Sequence, residues 1–194
     1  MKHLKFVFIV MLLMSVNTFS QKNETANKWL VSGTKLTYHI VNITNEYDFL
    51  ISNLLIDKDV SFKWMMSDPI NYSGEIKMTR DALDTASTIV NYFADKSVQH
   101  FTDKSSGWLS KKLYRSLKNN TGAKIIIDKK PETITFKQNE KYTVIVDGVD
   151  VLLDVMYAET ASGFKFWILD DAKNPLIVKM QLAFTLELKK IDTK

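Results

Sequence analysis

The chain has 194 residues, 45% of them hydrophobic, with 26 Lys and Arg against 22 Asp and Glu and a formal charge of +4. It holds no cysteine, which excludes a disulfide framework, a thiolate metal site, a cysteine nucleophile and a lipid anchor on cysteine. Charges of both signs are interspersed, and the pairs Lys111-Lys112, Lys129-Lys130 and Lys189-Lys190 read as solvated faces rather than a nucleic-acid footprint.

In chain order, basic Met1-Lys2-His3-Leu4-Lys5 comes first, then an unbroken apolar run from Phe6 to Met14, then polar and small residues Ser15 to Ser20. That order predicts a signal peptide over residues 1–20, cleaved between Ser20 and Gln21. A bilayer span needs about 20 apolar residues, so neither this run nor any later one predicts a transmembrane segment in the mature chain. Residues 21–28 read as a polar leader and 29–194 as a single β-rich domain, with few Pro or Gly and no repeat. The expected location is exported, either periplasmic or extracellular.

Alternation with period two then dominates. Leu36, Tyr38 and Ile40 share one face of a strand, and Tyr47, Phe49, Ile51 and Leu55 continue the pattern in the next. Val60, Phe62 and Trp64 follow the turn Asp57-Lys58-Asp59, and Gly74 to Thr79 points Ile76 and Met78 inward. The first three strands read as an antiparallel meander with one wet face. The period changes at Ala82, Ala86, Ile89, Val90 and Phe93, which predicts a helix over Asp81 to Phe93. Ser110 is a good N-cap for a second short helix carrying Leu113 and Leu117, stopped by Asn119-Asn120-Thr121-Gly122.

The second half returns to strands: Lys124 to Asp128, Glu132 to Lys137, Tyr142 to Asp147, Val149 to Tyr157 and Phe164 to Leu169. Asp147-Gly148 is a hairpin signal. From Leu176 to Leu188 seven apolar residues alternate, too many for one average strand, which predicts a bulge, a tight turn near Gln181 or one long curved strand. The class is α+β: a mainly antiparallel, highly curved sheet or open barrel with two short helices in the middle of the chain.

Trp108-Leu109-Ser110, Leu113-Tyr114 and Leu117-Lys118 resemble a segment of uncharacterised exported β-rich proteins of Bacteroidetes and related bacteria. Phe166-Trp167-Ile168-Leu169-Asp170-Asp171, Asn174-Pro175-Leu176-Ile177 and Leu188 to Ile191 extend the resemblance over about the last half of the chain. Such proteins are domains of unknown function, so the resemblance implies export and no activity. The strand order also loosely resembles the curved half-barrel of periplasmic lipoprotein carriers, an analogy of fold alone.

Catalytic signals are thin. Asp84-Thr85-Ala86-Ser87 has the lettering of an aspartic-protease turn, but the residues before it fit a helix rather than a strand. His3 leaves with the signal, while His39 sits on a polar strand face and His100 in a loop, without a triad or metal motif around either. Asp170-Asp171 before Asn174-Pro175 matches no calcium loop and reads as turn chemistry. Asp150 and Asp154 read as a solvated strand face. No catalytic residue, metal site or cofactor is therefore assigned.

The aromatics point elsewhere. Trp64, Met66, Trp108, Phe166 and Trp167 are the candidate lining of a concave apolar pocket. Met65, Leu152, Met156 and Trp167 give strands apolar residues on both faces, so a second surface must be covered by helix, partner or ligand. The expected function is non-enzymatic binding of a hydrophobic ligand or an envelope protein in the periplasm. The alternatives are a hydrolase whose site is assembled by the fold around His39 or His100, and a protein–protein interaction module.

Overall fold

The computed structural model describes residues 28–67 and 72–193; the expected signal peptide, its cleavage point and most of the leader lie outside these residues. The chain begins with an antiparallel meander: β1 (Lys35–Val41), β2 (Glu46–Ile56), β3 (Val60–Met66) and β4 (Ser73–Met78). Leu36, Tyr38 and Ile40 are buried as their alternation predicts. Leu55, expected to face inward, is 59% exposed, and Leu54 takes its place at 0%. The reason is a register shift between Ser52 and Leu55, with Asn53 at φ 50°, which moves every later side chain of β2 to the other face.

The helix expected over Asp81 to Phe93 is much shorter. α1 (Arg80–Thr85) is capped by Thr79 and ends at Ala86, whose ψ of 136° is extended. Thr88, Ile89 and Val90 are β-branched and lose side-chain freedom in a helix. They form the strand β5 (Thr88–Ile89) instead, held by Ile126 N–H to the Ser87 carbonyl and Val90 N–H to the Ser105 carbonyl. The apolar stripe is still buried, but Ile89 and Val90 enter two different cores. Three short strands that carry no period-two signal, β5, β6 (Val98–Phe101) and β7 (Lys104–Ser105), pair in parallel with their neighbours.

α2 (Lys111–Lys118) begins as predicted, with the Ser110 hydroxyl accepting from the Leu113 amide. After β8 (Ala123–Ile127), the two strands expected between Glu132 and Asp147 are one, β9 (Lys130–Val146), which pairs with β8 over Lys130–Ile134 and with β10 (Val149–Thr160) from Ile134 onward. Polar residues 138–141 stay in the ladder, and Lys137 is the bulge, opposite Tyr157 and Ala158. Asp147 and Gly148, both at positive φ, make the two-residue turn. β11 (Lys165–Leu169) follows, and the long final alternation is broken by a tight turn at Leu182–Phe184 into β12 (Ile177–Gln181) and β13 (Thr185–Asp192).

All thirteen strands of the described residues join one mixed, mainly antiparallel sheet. β13 runs along β1 on one edge; its start pairs with β12 and its end with β9, in parallel, through Lys190–Ile145 and Ile191–Val146. Strands β9 to β13 thus come round on themselves, giving a highly curved, ring-like sheet short of a complete barrel. Two apolar cores result. One gathers Leu36, Trp64, Ile76, Val155 and Leu169, and the other packs Leu113 and Leu117 of α2 on Met156, Phe166 and Ile168. Adjacent residues of β10 and β11 therefore enter opposite cores, so α2 covers the second face expected at Met156.

Candidate binding cleft

The inner face of the curved sheet opens in a cleft of about 150 Å³. Its floor is one cross-strand row, Tyr47–Ile40–Leu186–Met180, set by the register of β2, β1, β13 and β12. Alternation fixes that row: a one-residue slip of any strand would replace an apolar side chain with His39, Glu187 or Lys179. The wall is aromatic. Phe93 stacks on Phe49 at 5.2 Å and lies 5.2 Å from Trp64, so the segment after β5 is pinned over β2 and β3.

None of the described residues lining the cleft is Asp, Glu, His, Lys or Arg. Its polar groups are two tyrosines, Asn42, Asn91 and Ser106. Tyr38 donates to the Ile177 carbonyl at 3.0 Å, and burial drives its hydroxyl pKa far above the usual tyrosine range, so it stays neutral. An apolar cavity of this size holds a benzene-sized group, whereas whole-ligand pockets run to roughly 300–1,000 Å³. The cleft thus fits a ring or the end of a chain, with the rest of a larger molecule outside.

Of the five residues expected to line a pocket, Met66 reaches the cleft. Trp64 lies one layer beneath, 2% exposed, stacked on Phe49. Trp108, 1% exposed, rests against Phe62, which itself lines the cleft. Phe166 belongs to the core under α2. Trp167 sits on the other face of β11 between Tyr157 and Lys179, its Nε1 donating to Glu140 at 2.7 Å. Sequence reasoning placed Ile40, Phe49 and Leu186 only on core faces, because alternation names a face without saying whether it is filled.

The catalytic candidates resolve into structural pairs. His39 is half-buried, its Nδ1 3.0 Å from Asp48 and its Nε2 3.8 Å from Glu46, while His100 is exposed on β6. Among the described residues no cluster of three or more His, Asp or Glu side chains could hold a metal ion. Asp170 accepts from Tyr114 and Lys118, and Asp171 from the Lys173 amide, which is turn and ion-pair chemistry.

Asp84 lies on α1, paired with Lys111 at 2.7 Å and Arg80 at 3.4 Å. The Lys111 hydrogen bond is the main reason its carboxyl falls below the usual range; slight burial opposes it. A depressed folded pKa stabilises above the unfolded value, near 3.9, and that stabilisation is lost as pH falls through the folded one. Asp84→Asn should therefore lower Tm more at pH 7 than at pH 2. Equal losses in a thermal melt at both pH values would contradict the pairing.

The chain matches no family model and no curated protein. Among solved structures it is similar to the crystal structure of MucB, at 10% identity and a TM-score of 0.38. The match covers 84% of this chain and 53% of that one, so the chain spans about half the length of its neighbour. A likeness this faint carries no functional inference. What fold and cleft define is a curved-sheet domain with an uncharged apolar opening. No helix among the described residues is long and apolar enough to cross a membrane.

Proposed function

We propose that the protein is an exported, non-enzymatic binding protein that takes an apolar ligand into the cleft between β1, β2 and β12. The observation that carries this reading is the aromatic and aliphatic lining, uncharged among the described residues and open to the surface. A charged substrate or a proton-transfer step would find no ionised partner among the described lining residues. Export rests on the order of residues 1–20.

The test is titration with the fluorescent apolar probe N-phenyl-1-naphthylamine, alongside native mass spectrometry of protein purified from the periplasm. Saturable probe binding and a co-purifying hydrophobic molecule are expected. Met66→Trp, which fills the opening, should weaken probe binding at least tenfold, and Trp167→Ala should leave it unchanged. Binding equally tight in the Met66→Trp protein would sink the reading. Docking on an envelope protein is favoured by a different feature, the exposed Ile145 and Leu152 on the β9–β10 hairpin at 42% and 64%. Loss of cross-linking to a single envelope protein in Leu152→Lys cells, with probe binding intact, would support that second role.

A further inference from the structure

The meander has a second concavity on its other face, where alternation turns the polar residues outward. It is a trough of about 610 Å³ over β1 to β4, walled by Lys96, Ser97 and Val98. One row across it runs Thr37–Leu50–Met65–Ser73 in direct register. The next row follows from the same registers: Ser52 pairs with Lys63 and Lys63 with Glu75, while the Leu36–Ile51 pair sets Lys35 beside Ser52. Lys35 and Lys63 thus stand two strands apart, roughly 9–10 Å at the backbone, with a serine hydroxyl between them.

The ion pairs around the trough are unequal. Lys77 is matched with Glu75 at 3.1 Å, Lys96 with Asp95 at 3.8 Å and Lys190 with Asp192 at 2.9 Å. Lys35, Lys63 and the Ser52 hydroxyl have no hydrogen-bond or ion-pair partner among the described residues. Both described carboxylates that line the trough, Glu75 and Asp192, are thereby claimed, leaving two ammonium groups and a hydroxyl unmatched among the described residues. In the same trough Met65 is 42% exposed and Val98 53%, beside half-buried Leu50. Cations alone would suit any small anion; cations beside an exposed apolar strip suit an anion on an apolar stem.

We propose that this trough binds an amphiphile with a phosphate, sulfate or carboxylate head, the head bridging Lys35, Ser52 and Lys63 and the stem lying on Leu50 and Met65. The proposed head site is distinct from the cleft: Lys35, Ser52 and Lys63 line only the trough, Ile51 borders both, and the described cleft lining holds no charged side chain. Two protein cations on one anion give a bond that salt weakens, and the stem adds the burial of apolar surface.

The experiment titrates the purified protein with dodecyl phosphate below its micelle concentration, following amide shifts by NMR. Saturable shifts are expected at Thr37, Ser52 and Met65, with affinity falling at least tenfold in a K35Q/K63Q protein and with added salt. Both lysines are exposed, so the double variant should keep the parent far-UV spectrum and Tm, and the Met66→Trp protein should bind as the parent does. Inorganic phosphate should bind at least tenfold more weakly, and neutral dodecyl maltoside should leave these amides unmoved. Affinity unchanged in K35Q/K63Q overturns the proposal, as do shifts confined to Ile40, Phe49 and Leu186 in the cleft. So does phosphate binding as tightly as its dodecyl ester, since Leu50 and Met65 would then contribute nothing.

Discussion

Trp64→Ala should lower the unfolding free energy by about 3–5 kcal/mol, the range for deleting a buried aromatic side chain. The indole is 2% exposed and touches Phe49 at 5.9 Å and Phe93 at 5.2 Å between ring centres. Its removal leaves a cavity under the aromatic wall and releases the segment that Phe93 pins. Collapse into that space is limited, because Gly74 backs the ring closely: a methyl group there would stand 3.0 Å from its carbons. Trp64→Phe should cost well under half as much. The indole Nε1 is buried without a partner, and an orphaned donor costs roughly 1–3 kcal/mol. Phenylalanine gives up part of the packed ring and removes the orphan at the same time, so the two effects offset. Equilibrium unfolding in urea, followed by circular dichroism, measures both. A loss below about 1.5 kcal/mol in Trp64→Ala would show that the stack is dispensable.

The sequence revealed most where a local rule met no competitor. The meander was legible because each strand alternates and Asp57-Lys58-Asp59 marks a turn, and α2 because Ser110 marks its start. Failures came where tertiary contacts overrode the pattern. Ala86, Ile89, Val90 and Phe93 match helical spacing, but the chain buries them from an extended segment serving two cores. Leu54 and Leu55 exchange places because a bulge changes phase, and the residue pattern on either side is equally regular. The closing of the ring through Ile191 and Val146 joins residues too far apart in sequence for periodicity to relate.

The candidate site was less legible than the fold, for a physical reason. A pocket is a core face that fails to be filled, and its lining obeys the same alternation as a packed core. Trp64, Trp108 and Phe166 are large apolar side chains, and size is what drives a residue to full burial. The cleft falls instead where smaller groups such as Ser106 and Gly107 meet the aromatic wall. Absence of charge around an opening is the informative signal, and only the assembled register displays it.

The contrast between Met156 and Leu152 on β10 turns the double-faced pattern into a test with a large expected difference. Both lie on apolar stretches of one strand and were alike in sequence, each needing a cover. Met156 is 0% exposed beneath α2, whereas Leu152 is 64% exposed. A lysine at a fully buried position shifts its pKa down by roughly 3–5 units, and each unit is about 1.4 kcal/mol. Met156→Lys should therefore cost about 4–5 kcal/mol at pH 7, where the gap to the unfolded lysine pKa near 10.4 sets the ceiling, a large share of the roughly 5–15 kcal/mol that holds a domain together. Part of that loss should be recovered as pH rises through the shifted pKa, because a neutral amine is cheaper to bury; the folded pKa lies below the unfolded one, so stability increases with pH across that window. Leu152→Lys should stay within about 0.5 kcal/mol of the parent, as an exposed position does. Urea unfolding of both proteins at pH 6 and pH 9 would separate them. Similar, small losses would mean that α2 does not seal the second face of β10, and the two-core arrangement would fall with it.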